Sequence, residues 1–214
     1  MKMIMIADKP IWCAHIMNGD KTIEVRKNKA LYKATKKLIE EQGYATFFMY
    51  CTKGKPNLWL PYEYDCFELD EASQPYLSDK PIVDIDTKMN GKVVAKFTVR
   101  KVEEIDVIYS HNAGNVYCLN KEGNKYGMQE FILKESCLTY QELYYYLKDN
   151  KGYAYHIEDL VIFDEPKELW EFNSFNGIVP CNKCHFQGIS NCEGNHCNSL
   201  YKAPQNFCYV ESEE

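Results

Sequence analysis

The chain has 214 residues, 45% of them hydrophobic and 26% charged, with 25 basic and 31 acidic side chains. That composition is ordinary for a globular protein, the length allows one large domain or a domain with an appendage, and no apolar run approaches the roughly 20 residues of a membrane helix. A net charge of -6 argues against a protein that coats duplex nucleic acid, where phosphate neutralisation dominates affinity, yet leaves room for a small basic pocket that takes one nucleotide or base.

The opening "MKMIMIADKP" is too short in its apolar part, and too quickly acidic, for a secretory signal. The expected location is therefore cytoplasmic, with no membrane partner. Residues 1 to 6 suit a buried first strand. Asp8 and Pro10 mark a helix start. In "IWCAHIMNG", Trp12 pairs with Ile16 and Cys13 with Met17 at helical spacing, and Gly19 is a natural C-terminal cap. Residues 21 to 27 alternate as a strand, with Thr22, Glu24 and Arg26 on one side and Ile23 and Val25 on the other. "KALYKATKKLIEEQG" is an amphipathic helix with Leu31, Ala34, Leu38 and Ile39 as its stripe and Gly43 at its end.

Residues 44 to 52, "YATFFMYCT", read as a strongly apolar, central strand. Residues 53 to 80 show no clear period and read as a long excursion. "GKVVAKFTVRKVEEIDVI" supplies one or two strands, with 92 to 100 the first. "SHNAGNVYCLNKEGNKYG" reads as loop. "QEFILKESC" and "TYQELYYYLKDNKG" read as helices, the second opened by a capping box of Thr139 and Glu142. Residues 153 to 163 form a strand, "KELWEF" a short helix or turn, and 206 to 211 a last strand. Several strands between irregular helices, without βαβ alternation, predict an α+β fold around a small closed sheet.

Lys21, Glu24 and Arg26 crowd together directly after a helix end. At the mouth of a small barrel such groups can bind a planar polar ligand: the carboxylate accepts, the guanidinium donates in a fork, and the lysine supplies charge or an amine. By spacing alone, a solvated strand face with a surface ion pair is the simpler reading. His156, flanked by Tyr153 and Tyr155, is a candidate general acid or base, or a hydrogen-bonded rim residue. Tyr50 and Thr52 follow the apolar strand and are expected at the same rim.

The run Gly19-x-Lys21-x-x-Glu24-x-Arg26, within "KPIWCAHIMNGDKTIEVRK", resembles the G-x-K-x-x-E-x-R signature of the ASCH family, a branch of the PUA-like superfamily. "GKVVAKFTV" is similar to the family's middle strand. "GYAYHIEDLVIFDEPKELWEF", a cysteine-rich segment and "APQNFCYVE" resemble ASCH proteins common in bacteriophages and prophages. The resemblance implies a PUA-like, mixed but mostly antiparallel β-barrel with surrounding helices and a cleft lined by the signature. It also implies a binding module for RNA, a nucleotide or a modified nucleobase at the signature residues Lys21, Glu24 and Arg26; Tyr50, Thr52, Tyr155 and His156, read from their own positions, complete the ligand-binding candidates. Small enzymes similar to this family hydrolyse acetylated cytidine with a lysine, a threonine and a glutamate. Here Lys21 keeps the lysine, but Glu24 stands where they have threonine, and a carboxylate does not replace a hydroxyl. A hydrolase of modified nucleosides or RNA, with Lys21, Glu24 and His156 as catalytic groups, is the alternative.

Ten cysteines are present, five of them after residue 180. In a chain read as cytoplasmic, disulfides are not expected. Cys181, Cys184, Cys192 and Cys197 form C-x2-C and C-x4-C pairs, a spacing that wraps four thiolates around zinc at about 2.3 Å. Four thiolates make a closed, structural site. His185 or His196 can replace one ligand, and free or partly oxidised thiols on a surface loop are the alternative. Cys208 lies in an apparent strand and is expected to pack in the barrel. The expected organisation is a barrel over 1–172, a zinc-stapled segment over 173–205, and a strand and tail over 206–214. A module in which that stapled segment binds a protein partner is a third reading.

Overall fold

The computed structural model describes residues 2–60, 68–70, 87–110, 113–119, 123, 125–128, 130–148, 151–175 and 198–211. The proposed zinc ligands Cys181, Cys184, Cys192 and Cys197, with His185 and His196, lie outside the described residues. The elements run β1 (Lys2–Asp8), α1 (Pro10–Met17), β2 (Ile23–Arg26), α2 (Lys29–Gln42), β3 (Ala45–Cys51), β4 (Asn57–Leu60), β5 (Glu68–Asp70), β6 (Thr87–Lys88), β7 (Val93–Val99), β8 (Val102–Ser110), β9 (Ala113–Leu119) and β10 (Lys125–Met128). There follow α3 (Glu130–Glu135), α4 (Tyr140–Leu147), β11 (Lys151–His156), β12 (Glu158–Lys167), a 3-10 turn (Leu169–Glu171), β13 (Asn173–Ser174) and β14 (Phe207–Glu211).

The class is α+β, as the pattern predicts, and every expected strand is present. Closure is not. Among the described residues the strands form three ladders: six strands in the order β12-β7-β3-β1-β14-β13, five in the order β10-β9-β8-β11-β2, and three in the order β5-β4-β6. The expected barrel is thus corrected to open sheets. A further difference lies at Ile157. The segment 153 to 163 reads as a single strand, but it breaks there. β11 joins the five-stranded sheet and β12 the six-stranded one. Asp159, just past the break, has a φ of +48°, a left-handed conformation that aspartate tolerates better than most residues. Arg100 Nη1 reaches Glu158 Oε2 and Asp159 Oδ2, each at 2.7 Å, and holds the corner.

β3 is central, as its apolar run demands. β1 runs parallel to it, with Ile4 opposite Phe47, and antiparallel to β14, with Met5 opposite Cys208. Two stretches read as irregular contain strands. β4 and β5 pair Asn57 with Asp70 inside the expected excursion. β9 pairs with β8, Val116 opposite Val107, inside the expected loop. Glycine and asparagine hide the alternation there, although Val116 and Cys118 are buried.

The chain groups into two compact units: Met1–Ala14, Thr46–Phe97 and Val161–Glu214 in the first, His15–Ala45 and Thr98–Leu160 in the second. The first has a core of Met3, Met5, Phe48, Tyr50, Val93, Phe172, Leu200 and Val210, with the half-buried Cys208 packed against it. Burial pushes the Cys208 thiol up to about 11, so it behaves as an apolar packing group, as read from its strand position. The second has Ile23, Val25, Ile105, Val107, Val116, Cys118, Ile132, Leu143, Leu147 and Ala154. No helix among the described residues is long and apolar enough to cross a membrane.

Helix ends follow the sequence signals. Gly43 closes α2 at a φ of +86°, its N–H donating to the Ile39 carbonyl. Thr139 caps α4: its backbone N–H and hydroxyl donate to Glu142 Oε2 at 2.8 and 2.7 Å, and the Glu142 N–H returns to the hydroxyl at 3.2 Å. The backbone N–H and then the hydroxyl of Thr139 hold the Glu142 carboxyl below its ordinary value of 4.5. A depressed carboxyl stabilises fully above its unfolded-state value and loses that contribution as pH falls through the folded one. Thr139→Ala should cost about 1 kcal/mol in urea unfolding near neutral pH. The difference from wild type should shrink when the titration is repeated at about pH 3.

Candidate functional site

The site begins where α1 ends. Gly19 takes a φ of +81° and donates its N–H to the Ile16 carbonyl at 3.1 Å. The chain then reverses, and the Lys21 N–H donates to the His15 carbonyl at 3.0 Å. Thr22 is tied on both sides: its N–H donates to the Glu135 carbonyl, its hydroxyl to the Glu135 carboxylate, and its carbonyl accepts from the Ile157 N–H. The start of β2 is therefore held by α3 and by the β11–β12 break.

Alternation along β2 sends Ile23 and Val25 into the core of the second unit and Glu24 and Arg26 to the opposite face. Lys21 joins them. Its Nζ lies 3.3 Å from Glu24 Oε2, and Arg26 Nε lies 2.6 Å from Glu24 Oε1. One carboxylate sits between two cations. The trio is not a solvated surface pair: Lys21 is 3% and Glu24 6% exposed. Lys21 Nζ also donates to the carbonyls of Ile23 and Ser136, both at 2.8 Å. With Glu24 these contacts account for the three N–H groups of an ammonium.

The β11 register builds the rest of the face. Tyr155 lies opposite Glu24 and Tyr153 opposite Arg26, and directly opposed residues share a face. Tyr32 of α2 stacks on Tyr153, with ring centroids 4.2 Å apart. Burial, and then a hydrogen bond to Glu104, raise the Tyr32 hydroxyl well above its ordinary value. Burial does the same to Tyr155. These phenols stay protonated as donors. The arrangement offers a guanidinium held by a carboxylate, beside a wall of tyrosines.

The structure does not bring every candidate to this face. His156 pairs with Ile23, so it points to the side opposite Glu24 and Arg26. There its Nε2 lies 2.7 Å from Glu103 Oε2, which Lys101 Nζ also approaches at 2.9 Å. Burial pushes the Glu103 carboxyl up, but the hydrogen bonds from Lys101 and His156 outweigh it and leave a net lowering. The structure brings Lys21 and Glu24 together, and a single residue of strand parity sets His156 on the other face. Tyr50 is a core residue of the first unit, 3% exposed. Thr52, also in that unit, donates its N–H to the Asp8 carbonyl at 2.8 Å. Among the described residues no group of three or more His, Cys, Asp or Glu side chains is placed to hold a metal.

Two partners escaped the sequence. Tyr32 looked like an ordinary position between buried helix residues, although its place after Leu31 puts it beside the core stripe. The Ser136 carbonyl, 115 residues from Lys21, has no sequence signal, because any residue carries a carbonyl.

No family model matches this sequence, and no curated protein matches it. Among solved structures, one that is similar is the crystal structure of ASCH from Zymomonas mobilis, 14% identical, with a TM-score of 0.47 over 98% of this chain and 87% of that one. Another is the N-terminal domain of Staphylothermus marinus McrB, 7% identical, with a TM-score of 0.37 over 78% of this chain and 76% of that one.

Removing one member of a buried ion pair leaves the other charge uncompensated. Lys21→Met should therefore cost about 3–5 kcal/mol in urea unfolding. Lys37→Met, which removes an exposed pair with Glu41 at 3.6 Å, should cost less than about 0.5 kcal/mol. Equal losses would mean that Lys21 is not the buried cation described.

Proposed function

We propose that the chain is an ASCH-type binding module whose Glu24–Arg26 face takes a nucleotide, a modified base or an RNA end. The observation that carries this reading is the clamp itself. Arg26 Nε lies 2.6 Å from Glu24 Oε1, and the ladder sets Tyr153, stacked on the half-buried Tyr32, opposite Arg26. Orienting a guanidinium before a ligand arrives lowers the entropy lost on binding. Aromatic rings and a planar donor suit a base with an attached phosphate or carbonyl.

The hydrolase reading finds less support. A lysine whose three donors are already engaged is a poor nucleophile or base, and His156 stands on the other side of the sheet.

The test is calorimetric titration with nucleosides, nucleotides and short RNAs. Arg26→Ala should weaken binding by about 1.5–3 kcal/mol, the range for a hydrogen bond to a charged group. Arg26→Lys should not restore it, because an ammonium lacks the planar fork. Equal affinity of wild type and Arg26→Ala for every ligand that binds would reduce the clamp to a structural ion pair.

The tail belongs to the same proposal. The donor set Cys181, Cys184, Cys192 and Cys197 suits one structural zinc, which would supply folding energy to a segment poor in apolar residues. Plasma mass spectrometry of the purified chain should find about one zinc per chain. Cys184→Ala should lower that content and leave most of the cooperative unfolding transition intact. A full zinc load in this variant would remove Cys184 from the ligand set.

A further inference from the structure

The solvent face of α2 carries its charges in an order that works against the helix. Lys29, Lys33, Lys36 and Lys37 are all exposed and fill the first part, and Glu40 and Glu41 the last. The first turn has no acidic residue and the last turn no basic one. A helix macrodipole favours the reverse, anions at the start and cations at the end. Lys29 and Lys33, and Lys33 and Lys37, are also like charges at i,i+4, which repel. Only Lys37 has a carboxylate within ion-pair distance among the described residues, Glu41. A face chosen simply to be wet has no need of this order. A face that meets an anion does.

Aromatic rings interleave with the lysines. Lys36 lies 5.3 Å from the Tyr32 ring centroid, and Tyr32 stacks on Tyr153, the ladder partner of Arg26. Lys27, just ahead of the helix, lies 5.3 Å from the Tyr146 ring. Tyr146 is 37% and its neighbour Tyr145 74% exposed. All of these residues belong to the second unit.

We propose that the lysine face of α2, with Lys27 and the exposed tyrosines of α4, is a docking track for the backbone of single-stranded RNA. The inference rests on the reading of the Arg26 face above and extends it from one nucleotide to a strand. Cations that follow a backbone beside rings that stack unpaired bases are the two elements of single-strand binding. A duplex would hide its bases from the tyrosines. An anionic membrane fits less well, because the apolar stripe of α2, Leu31, Ala34 and Leu38, is buried in the protein and cannot insert.

The experiment measures fluorescence anisotropy of a short labelled oligouridylate with the full chain across a salt series. Calorimetry with adenosine monophosphate runs beside it. The combined variant Lys29→Gln, Lys33→Gln, Lys36→Gln should bind the RNA about tenfold more weakly at low salt. Its slope of log affinity against log salt should fall by about 2, from about 0.7 per lost phosphate contact. Mononucleotide binding should not change. Lys29→Gln relieves the clash of a first-turn cation with the dipole and its repulsion of Lys33, and a thermal melt unchanged from wild type shows that a loss of binding is not a loss of fold. Arginine at the same three positions should keep the salt slope. An unchanged RNA affinity and slope in the glutamine variant would overturn the proposal. So would lysine-dependent binding to phosphatidylserine vesicles without binding to RNA. Lysine-dependent RNA binding in a chain that ignores the mononucleotide would support the track and sink the Arg26 reading instead.

Discussion

The Glu24 carboxylate, 6% exposed, holds the second unit to its geometry. A charge removed from water in this way survives only with close compensation. Lys21 and Arg26 provide it, one on each oxygen. Lys21 then passes the constraint outward, through the carbonyls of Ile23 and Ser136. Thr22 adds bonds to Glu135 and Ile157. The five-residue link between α1 and β2 is thereby tied to α3 and to the residue that follows β11. The signature is first a folding device, and any ligand it takes meets groups already in place.

That arrangement also limits the chemistry. An amine that must attack or accept a proton needs a lone pair, and Lys21 spends its N–H groups on carbonyls and a carboxylate. A guanidinium cannot titrate in the useful range and recognises shape and charge instead. The side chains that surround it, Tyr153, Tyr155 and Tyr32, are protonated phenols whose burial keeps them so. Tyr32 stacks on Tyr153 and hydrogen-bonds Glu104, while Tyr155, 1% exposed, packs beneath them. The His156–Glu103 pair has the chemistry of a general base, but it is on the wrong face to serve this one.

Net charge conceals how the charges are distributed. The chain is acidic at -6, yet five lysines lie between residues 27 and 37 without an acid among them. Four of them line the exposed face of α2, next to the aromatic residues that continue to Arg26. A uniform acidic surface would repel any phosphate. The lysines of α2 reverse that sign locally.

Much of this molecule was legible in one dimension. Period-two alternation in "TIEVR" assigned Glu24 and Arg26 to one face, because side chains of a strand must alternate. Gly19, Gly43 and the Thr139–Glu142 box marked helix ends, because orphan backbone groups need those residue types. The apolar run at residues 44 to 52 announced a central strand, because only burial on both faces permits it. These are local properties and the chain carries them alone. Other features depend on partners distant in sequence. The break at Ile157 decided which sheet each half of an apparent single strand joined. The register of β11 against β2 decided that tyrosines stand beside Arg26 and that His156 does not. The backbone carbonyl of Ser136 decided that Lys21 is buried and saturated. Alternation says which residues share a face of one strand; only the pairing of strands says what that face meets.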